Sequence, residues 1–240
     1  MAVFVLVHGA SHGGWCWERV VPLLEARGHR VYAPDLPGMG DDKTPHEQLT
    51  SETWTSFLVN LVRSAAEPVV LVGHSRGGVQ ISNVAEVVPQ LVRKLVYLSG
   101  FVPLDGSDNM SLAMQFCGPD LMQAAAQMQE TQEWTVDLAR QVFYNTTEEA
   151  WVVRAGGLLG PEPMAAMLSP NGLSEDRFGT VSKVYIECLE DRAIPVASQR
   201  RMQEHAVFER VWQLPTDHSP FYSAAELLAD TLCEAAGGQE

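Results

Sequence analysis

Positive charge is scarce in this chain. Its 240 residues carry 16 Lys and Arg against 30 Asp and Glu, a formal net charge of −14. A surface of that sign repels phosphate at long range, which excludes nucleic acid and anionic membrane as expected partners. Cysteine is scarce too. Cys16, Cys117, Cys188 and Cys233 stand far apart, with no C-x-x-C pair and no metal-ligand spacing. They read as reduced thiols, so a cytoplasmic location and no bound metal are expected. No apolar run approaches the roughly 20 residues that a membrane helix needs. The N-terminal stretch from Met1 to His8 is apolar, but it lacks a basic n-region and a cleavage site. It reads as a buried strand, not a signal peptide. Internal repeats and low-complexity segments are absent.

What remains is ordinary globular composition, with 46% hydrophobic and 19% charged residues. A chain this long buries enough apolar surface to need no disulfide or metal staple. Short apolar runs predict strands at Val3–Val7, Val31–Ala33, Pro68–Val72, Lys94–Ser99, Lys183–Cys188 and Val207–Leu214. They lack strict alternation, as strands buried on both faces do. Amphipathic stretches between them predict helices at Trp15–Ala26, Ser51–Ala66, Arg76–Val88, Val196–Ala206 and Ser219–Ala235. Strand and helix in turn predict an α/β fold, a mostly parallel sheet with helices on both faces.

The rhythm breaks between residues 104 and 180, where short helical patterns are separated by Gly and Pro. This predicts one core, residues 1–103 and 181–240, with a helical cap at 104–180 inserted in it. That segment has 11 acidic and 3 basic residues, so it carries −8 of the net −14. It also holds six of the nine methionines, Met110, Met114, Met122, Met128, Met164 and Met167. Methionine suits a surface that adapts to an apolar guest, and equally fills gaps in a small helical core.

The most informative segment runs from Val69 to Gly78. An apolar strand leads directly into Gly73-His-Ser-Arg-Gly77, and a helical stretch follows. A serine on a strained strand-to-helix turn exposes its hydroxyl, and only small residues fit two positions before and after it. The helix N-terminus behind it supplies positive potential. Ser75 is therefore the candidate nucleophile. The other reading is a glycine-rich turn whose serine caps the helix.

A nucleophilic serine needs a base, and the base needs an orienting acid. Downstream of Ser75 stand only His205 and His218. His205 falls within a predicted helix among polar neighbours and reads as solvated surface. His218 follows the last predicted strand, at the kind of strand end where ligands bind in open α/β sheets. It is the candidate base. Three carboxylates, Glu187, Glu190 and Asp191, accompany the preceding strand. Glu187 lies inside it. Asp191, in the loop beyond, can turn toward His218, with Glu190 its nearest rival. Asp217 is expected to stay in water.

An oxyanion formed on the substrate requires fixed N–H donors. One is expected from Arg76, the residue after the nucleophile. The second is expected from the loop His8-Gly-Ala-Ser-His-Gly-Gly14 after the first strand, at Ala10. Gly9 and His12 of that loop, with Phe116 and Trp134 of the insertion, are the expected pocket residues. Trp151 and Phe143 suggest an apolar or aromatic substrate group as well. Each of these aromatics is equally compatible with core packing.

These segments together resemble the α/β-hydrolase superfamily. They are most similar to the group of hydroxynitrile lyases, plant methylesterases of the salicylic acid-binding type and small bacterial esterases. The resemblance is carried by Phe4–Trp17, Tyr32–Gly40, Gly73–Gly78, Glu187–Pro195 and Asp217-His218. It implies the α/β-hydrolase fold, a cap at 104–180 roofing the site, and Asp191 as the triad acid. The lyases of the group carry threonine at the position of Gly9 and lysine at that of Ser219, so the resemblance points away from cyanide release. The expected function is hydrolysis of a small, apolar or aromatic carboxylic ester by Ser75, His218 and Asp191, without a cofactor. A monomer or homodimer is expected. Two other readings keep the same residues: a triad-dependent reaction on another bond, and a receptor that only binds its ligand. Whether the Arg76 guanidinium reaches the pocket or is plain surface is open at this level.

Overall fold

In the computed structural model, which describes residues 1–131 and 133–237, six strands form one sheet. They are β1 (Val3–Val7), β2 (Arg30–Tyr32), β3 (Val69–His74), β4 (Val92–Leu98), β5 (Lys183–Cys188) and β6 (Arg210–Leu214). Their order is β2-β1-β3-β4-β5-β6, and each neighbouring pair is parallel. The first helices are α1 (Val20–Ala26), α2 (Ser51–Ser64) and α3 (Gly77–Val87). Five more follow β4: α4 (Asn109–Phe116), α5 (Pro119–Thr131), α6 (Val136–Val142), α7 (Glu149–Gly156) and α8 (Met164–Met167). The chain ends with α9 (Val196–Gln203), α10 (Pro220–Ser223) and α11 (Ala225–Ala235).

Side chains alternate between the faces of a strand. In β1, Val3, Val5 and Val7 join Trp54 and Leu58 of α2 and Val79 and Val84 of α3 in one apolar cluster. Phe4 and Leu6 join Val20 and Leu24 of α1 and Leu228 and Leu232 of α11 in the other. Both faces of the strand are buried, and this is why its sequence is continuously apolar.

Two expected helices are each split. The stretch from Trp15 becomes a 3-10 turn, Gly14–Trp17, followed by α1. Pro22 has no N–H to give the Glu18 carbonyl, so a continuous helix would lose that bond; within the first turn of α1 the missing donor costs nothing. The stretch from Ser219 becomes α10 and α11, separated at Ala224, whose φ is −150°. Ser223, at the end of α10, is drawn to the Asp217 carboxylate by a 2.9 Å hydrogen bond.

Between β4 and β5 no strand occurs among the described residues. The methionines of this segment fit neither expected role cleanly. Met114, Met122 and Met164 are 71%, 41% and 50% exposed, and Met167 is buried. Among the described residues no helix is long and apolar enough to cross a membrane.

The sheet order places β2 on one side of β1 and β3 on the other. The chain therefore reverses its winding direction at the β1–β3 boundary. In open parallel sheets the crevice beyond the strand ends at such a boundary is where ligands are held.

Candidate active site

Ser75 stands at that boundary, between the end of β3 and the start of α3. Its φ of 52° lies in the left-handed region, which a non-glycine residue occupies only where its surroundings enforce it. The two glycines make the turn possible. A Cβ on Gly73 would come within 2.6 Å of the Gly77 carbonyl oxygen, and one on Gly77 within 2.6 Å of the Val7 carbonyl oxygen. Backbone bonds on both sides hold the turn: Ser75 N–H donates to the Leu98 carbonyl at 3.2 Å, and Phe101 N–H to the Ser75 carbonyl at 2.9 Å.

His218 and Asp191 lie in the loops after β6 and β5. His218 Nδ1 donates to Asp191 Oδ2 at 2.7 Å, with both side chains essentially without solvent contact. That bond leaves the Nε2 lone pair of a neutral His218 free to act as a base. Asp191 is caged by further donors. Ser99 Oγ reaches Oδ2 at 2.5 Å, Gln199 Nε2 reaches it at 3.4 Å, and Ile194 N–H reaches Oδ1 at 2.8 Å. Its rivals are placed elsewhere: Glu190 is exposed, and Glu187 is buried against Arg200 at 3.0 Å.

His74 ties the base loop to the elbow. Its Nε2 donates to the His218 backbone carbonyl at 2.8 Å, from the position next to Ser75. Asp217 ties the same loop to the segment between β4 and β5. Its Oδ2 accepts from Thr146 N–H at 2.9 Å and Thr147 Oγ1 at 2.8 Å, and its Oδ1 from Ser219 N–H at 3.0 Å. The expectation that Asp217 stays in water is therefore corrected: it is fully buried, because these partners and Ser223 replace its hydration. His205 is corrected as well. It lies just beyond the end of α9, half-buried, with Nδ1 donating to the Val102 carbonyl at 2.9 Å.

The loop after β1 carries the second set of groups. His8 Nδ1 donates to the Gly9 carbonyl at 2.9 Å while its Nε2 accepts from Leu36 N–H at 3.2 Å. His12 Nδ1 donates to the Ala10 carbonyl at 2.6 Å and its Nε2 accepts from Tyr144 Oη at 2.7 Å. Burial pushes both imidazoles down to about 3, and holds His74 well below the usual histidine range. All three are neutral struts. Among the described residues, neither Ala10 N–H nor Arg76 N–H donates to another backbone group. Such free N–H groups beside a serine are what a developing oxyanion requires. Gly9 lies against the elbow: a Cβ there would come within 2.9 Å of both Ser75 Cβ and His74 Nδ1.

Arg76 is not surface. It is 1% exposed, and its guanidinium is turned away from solvent. Nη2 donates to the Gly9 carbonyl at 3.1 Å, Nε faces Glu162 Oε2 at 3.1 Å, and the group lies 4.3 Å from the centre of the Trp54 ring. Its charge faces Glu162 inside the protein, which leaves it poorly placed to meet a substrate carboxylate.

The aromatic residues divide. Trp134 donates from Nε1 to Ser11 Oγ at 3.0 Å, and its ring lies 5.1 Å from that of Phe143, which lies 5.6 Å from the His218 ring. Phe116 is placed elsewhere, edge-on to His205 at 5.6 Å and under Arg201, as part of an apolar cluster. Trp151 stacks on Tyr222 and Arg19. Sequence reasoning missed Ser99, Gln199, Tyr144 and Glu162. Ser99 alone carried a local signal, as a small polar residue at the end of β4.

The comparisons with known proteins agree in one direction. The alpha/beta hydrolase family profile matches residues 4–231. Methylesterase 1 of Arabidopsis thaliana is 33% identical, over 97% of this chain and 95% of its own length. A chloroplastic relative from the same plant is longer, and this chain spans 63% of it at 32% identity. The crystal structure of a pyrethroid hydrolase from Sphingobium faniae superposes with a TM-score of 0.85 at 28% identity, covering 98% of this chain and 97% of that one.

Proposed function

The chain belongs to the α/β hydrolase family, and from that premise we propose that it is a serine esterase acting on small carboxylic esters. The observation that carries the reading is the buried His218–Asp191 pair, tied through His74 to the strained Ser75 turn. In this reading Ser75 attacks the ester carbonyl and His218 Nε2 takes its proton. Asp191 holds the imidazole in the tautomer that makes this possible and stabilises the imidazolium that results. The carbonyl oxygen becomes an oxyanion held by the N–H groups of Ala10 and Arg76. His218 then protonates the departing alcohol, and an acyl-enzyme remains on Ser75. Water attacks that ester with His218 as base, releasing the acid and restoring the serine. Every proton moves among these residues, the departing alcohol and water, so the cycle requires no cofactor.

The Trp134–Phe143 wall beside His218 supports an apolar or aromatic group on one side of the ester. The relatives point the same way by name, as a methylesterase and a pyrethroid hydrolase. Cyanohydrin cleavage is disfavoured at Gly9, where a threonine would collide with Ser75. The free thiols of Cys16, Cys117, Cys188 and Cys233 support a reducing, cytoplasmic setting. The test is a screen of p-nitrophenyl, methyl and benzyl esters, lactones and cyanohydrins, with Ser75→Ala beside the wild type. Ser75-dependent turnover of the esters is expected. Turnover confined to another bond type would overturn the reading.

A further inference from the structure

The N–H of Ala10 is useful only if it is aimed. It belongs to the peptide plane that also carries the Gly9 carbonyl, and in a planar trans peptide the two point in opposite directions. Whatever fixes the Gly9 oxygen therefore fixes the direction of the Ala10 N–H. That oxygen accepts two hydrogen bonds, from His8 Nδ1 at 2.9 Å and from Arg76 Nη2 at 3.1 Å. The next peptide plane is clamped as well. Its Ala10 carbonyl accepts from His12, and its Ser11 N–H donates to Glu162 Oε1 at 2.5 Å. Glu162 also holds the guanidinium, with Nε 3.1 Å from Oε2 and Nη2 3.4 Å from Oε1.

The loop does not hold this shape by itself. Ser11 has a φ of 62°, in the left-handed region, and such a residue persists only where neighbours over-determine it. Those neighbours come from the inserted segment. Besides Glu162, Gly160 N–H donates to the Ser11 carbonyl at 2.9 Å and Trp134 Nε1 to Ser11 Oγ at 3.0 Å.

We propose that the Arg76 side chain, held by Glu162, is the positioning group of the oxyanion hole, its guanidinium fixing the Gly9–Ala10 peptide while its own backbone N–H serves as the other donor. Arg76 thus links both donors in one residue, and Glu162 makes the inserted segment part of the machinery without touching substrate. A cation on the carbonyl side of a peptide also polarises its N–H, which strengthens the donor. The proposal rests on the ester-hydrolase reading above.

Three variants test it: Arg76→Met, Glu162→Gln and the double variant. Each keeps the backbone N–H of residue 76, and the Glu162→Gln side chain keeps an acceptor for Ser11. Removing a whole oxyanion donor costs about 10²–10³ in kcat. Misaiming one is expected to lower kcat for a p-nitrophenyl ester by about 10- to 100-fold in Arg76→Met, with KM within about threefold. Affinity for an alkyl boronic acid, whose tetrahedral adduct places an oxygen in the hole, should fall in parallel. The double variant separates positioning from stability. Removing both charges should return the melting temperature toward wild type, since no buried charge is left alone. Its kcat should stay at least tenfold low. Recovery of wild-type kcat in the double variant, or unchanged kcat in folded Arg76→Met, would overturn the proposal. Should Arg76→Met not fold, the double variant and Glu162→Gln carry the same readouts. Ser75→Ala run alongside distinguishes the two levels. If it keeps turnover, the esterase reading fails; if it loses turnover while the Arg76 variants are unaffected, only the positioning role fails.

Discussion

Lowering the pH from 7.5 to 5 should remove several kcal/mol of the stability of this protein. His8, His12 and His74 are buried and neutral, and desolvation is the largest cause in each case. The sign follows from linkage. Their folded-state values lie below the usual 6.5, so the unfolded chain binds more protons between 6.5 and about 3. Stability is full above 6.5 and is lost as the pH falls below it. Each such group contributes a slope of about 1.4 kcal/mol per pH unit in that window. At pH 5 the loss is about 2 kcal/mol for each of His8 and His12, about 4 kcal/mol together, and His74 acts in the same direction. Domains of this kind are stable by roughly 5–15 kcal/mol in total. One group opposes the trend: burial raises the Glu162 carboxyl, which gains stability as it becomes protonated on acidification. A single carboxyl does not offset three imidazoles. Urea unfolding curves at pH 7.5, 6.5, 5.5 and 5 measure the effect directly. An unfolding free energy that stays constant within about 1 kcal/mol across this range would refute the reasoning.

Other perturbations address the site itself. Asp191→Asn keeps the shape of the side chain but not its charge, and should lower kcat by about 10³- to 10⁴-fold with a small change in KM, measured on any active ester. Asp217→Ala orphans Thr146 N–H, Thr147, Ser219 N–H and Ser223 at once. It should cost about 3 kcal/mol in denaturant unfolding, and it should slow turnover because the loop that carries His218 loses its anchor. Gly9→Thr should abolish ester turnover without creating cyanohydrin cleavage, because its Cβ meets Ser75 and His74 at 2.9 Å.

Much of this arrangement is legible along the chain because it is local. The β1 and β5 runs mark their strands to the residue, since both faces of each are buried. The elbow is legible for the same reason: Gly73, Ser75 and Gly77 impose their geometry within five residues. Asp217 and Arg76 are the opposite case. Along the chain Asp217 reads as a solvated charge and Arg76 stays open between pocket and surface, yet each is buried, because its partners come from elsewhere in the chain. Thr146 and Thr147 stand about 70 residues from Asp217, and Glu162 stands 86 from Arg76. A pairing across such a distance leaves no periodicity to read. Phe116 and Trp134 show the same limit, since both are aromatic and both lie between β4 and β5. Only Trp134 meets the loop after β1, through its bond to Ser11.

The central claim is that Ser75 is the nucleophile, and covalent trapping addresses it most directly. The protein is treated with an alkyl fluorophosphonate, whose phosphorus is attacked by a serine activated by a neighbouring base with loss of fluoride, and the modified peptide is identified by mass spectrometry. The account predicts a single adduct on Ser75, absent in Ser75→Ala, with ester turnover lost in step. An adduct on another residue, or a Ser75→Ala variant that turns over esters at the wild-type rate, would contradict it.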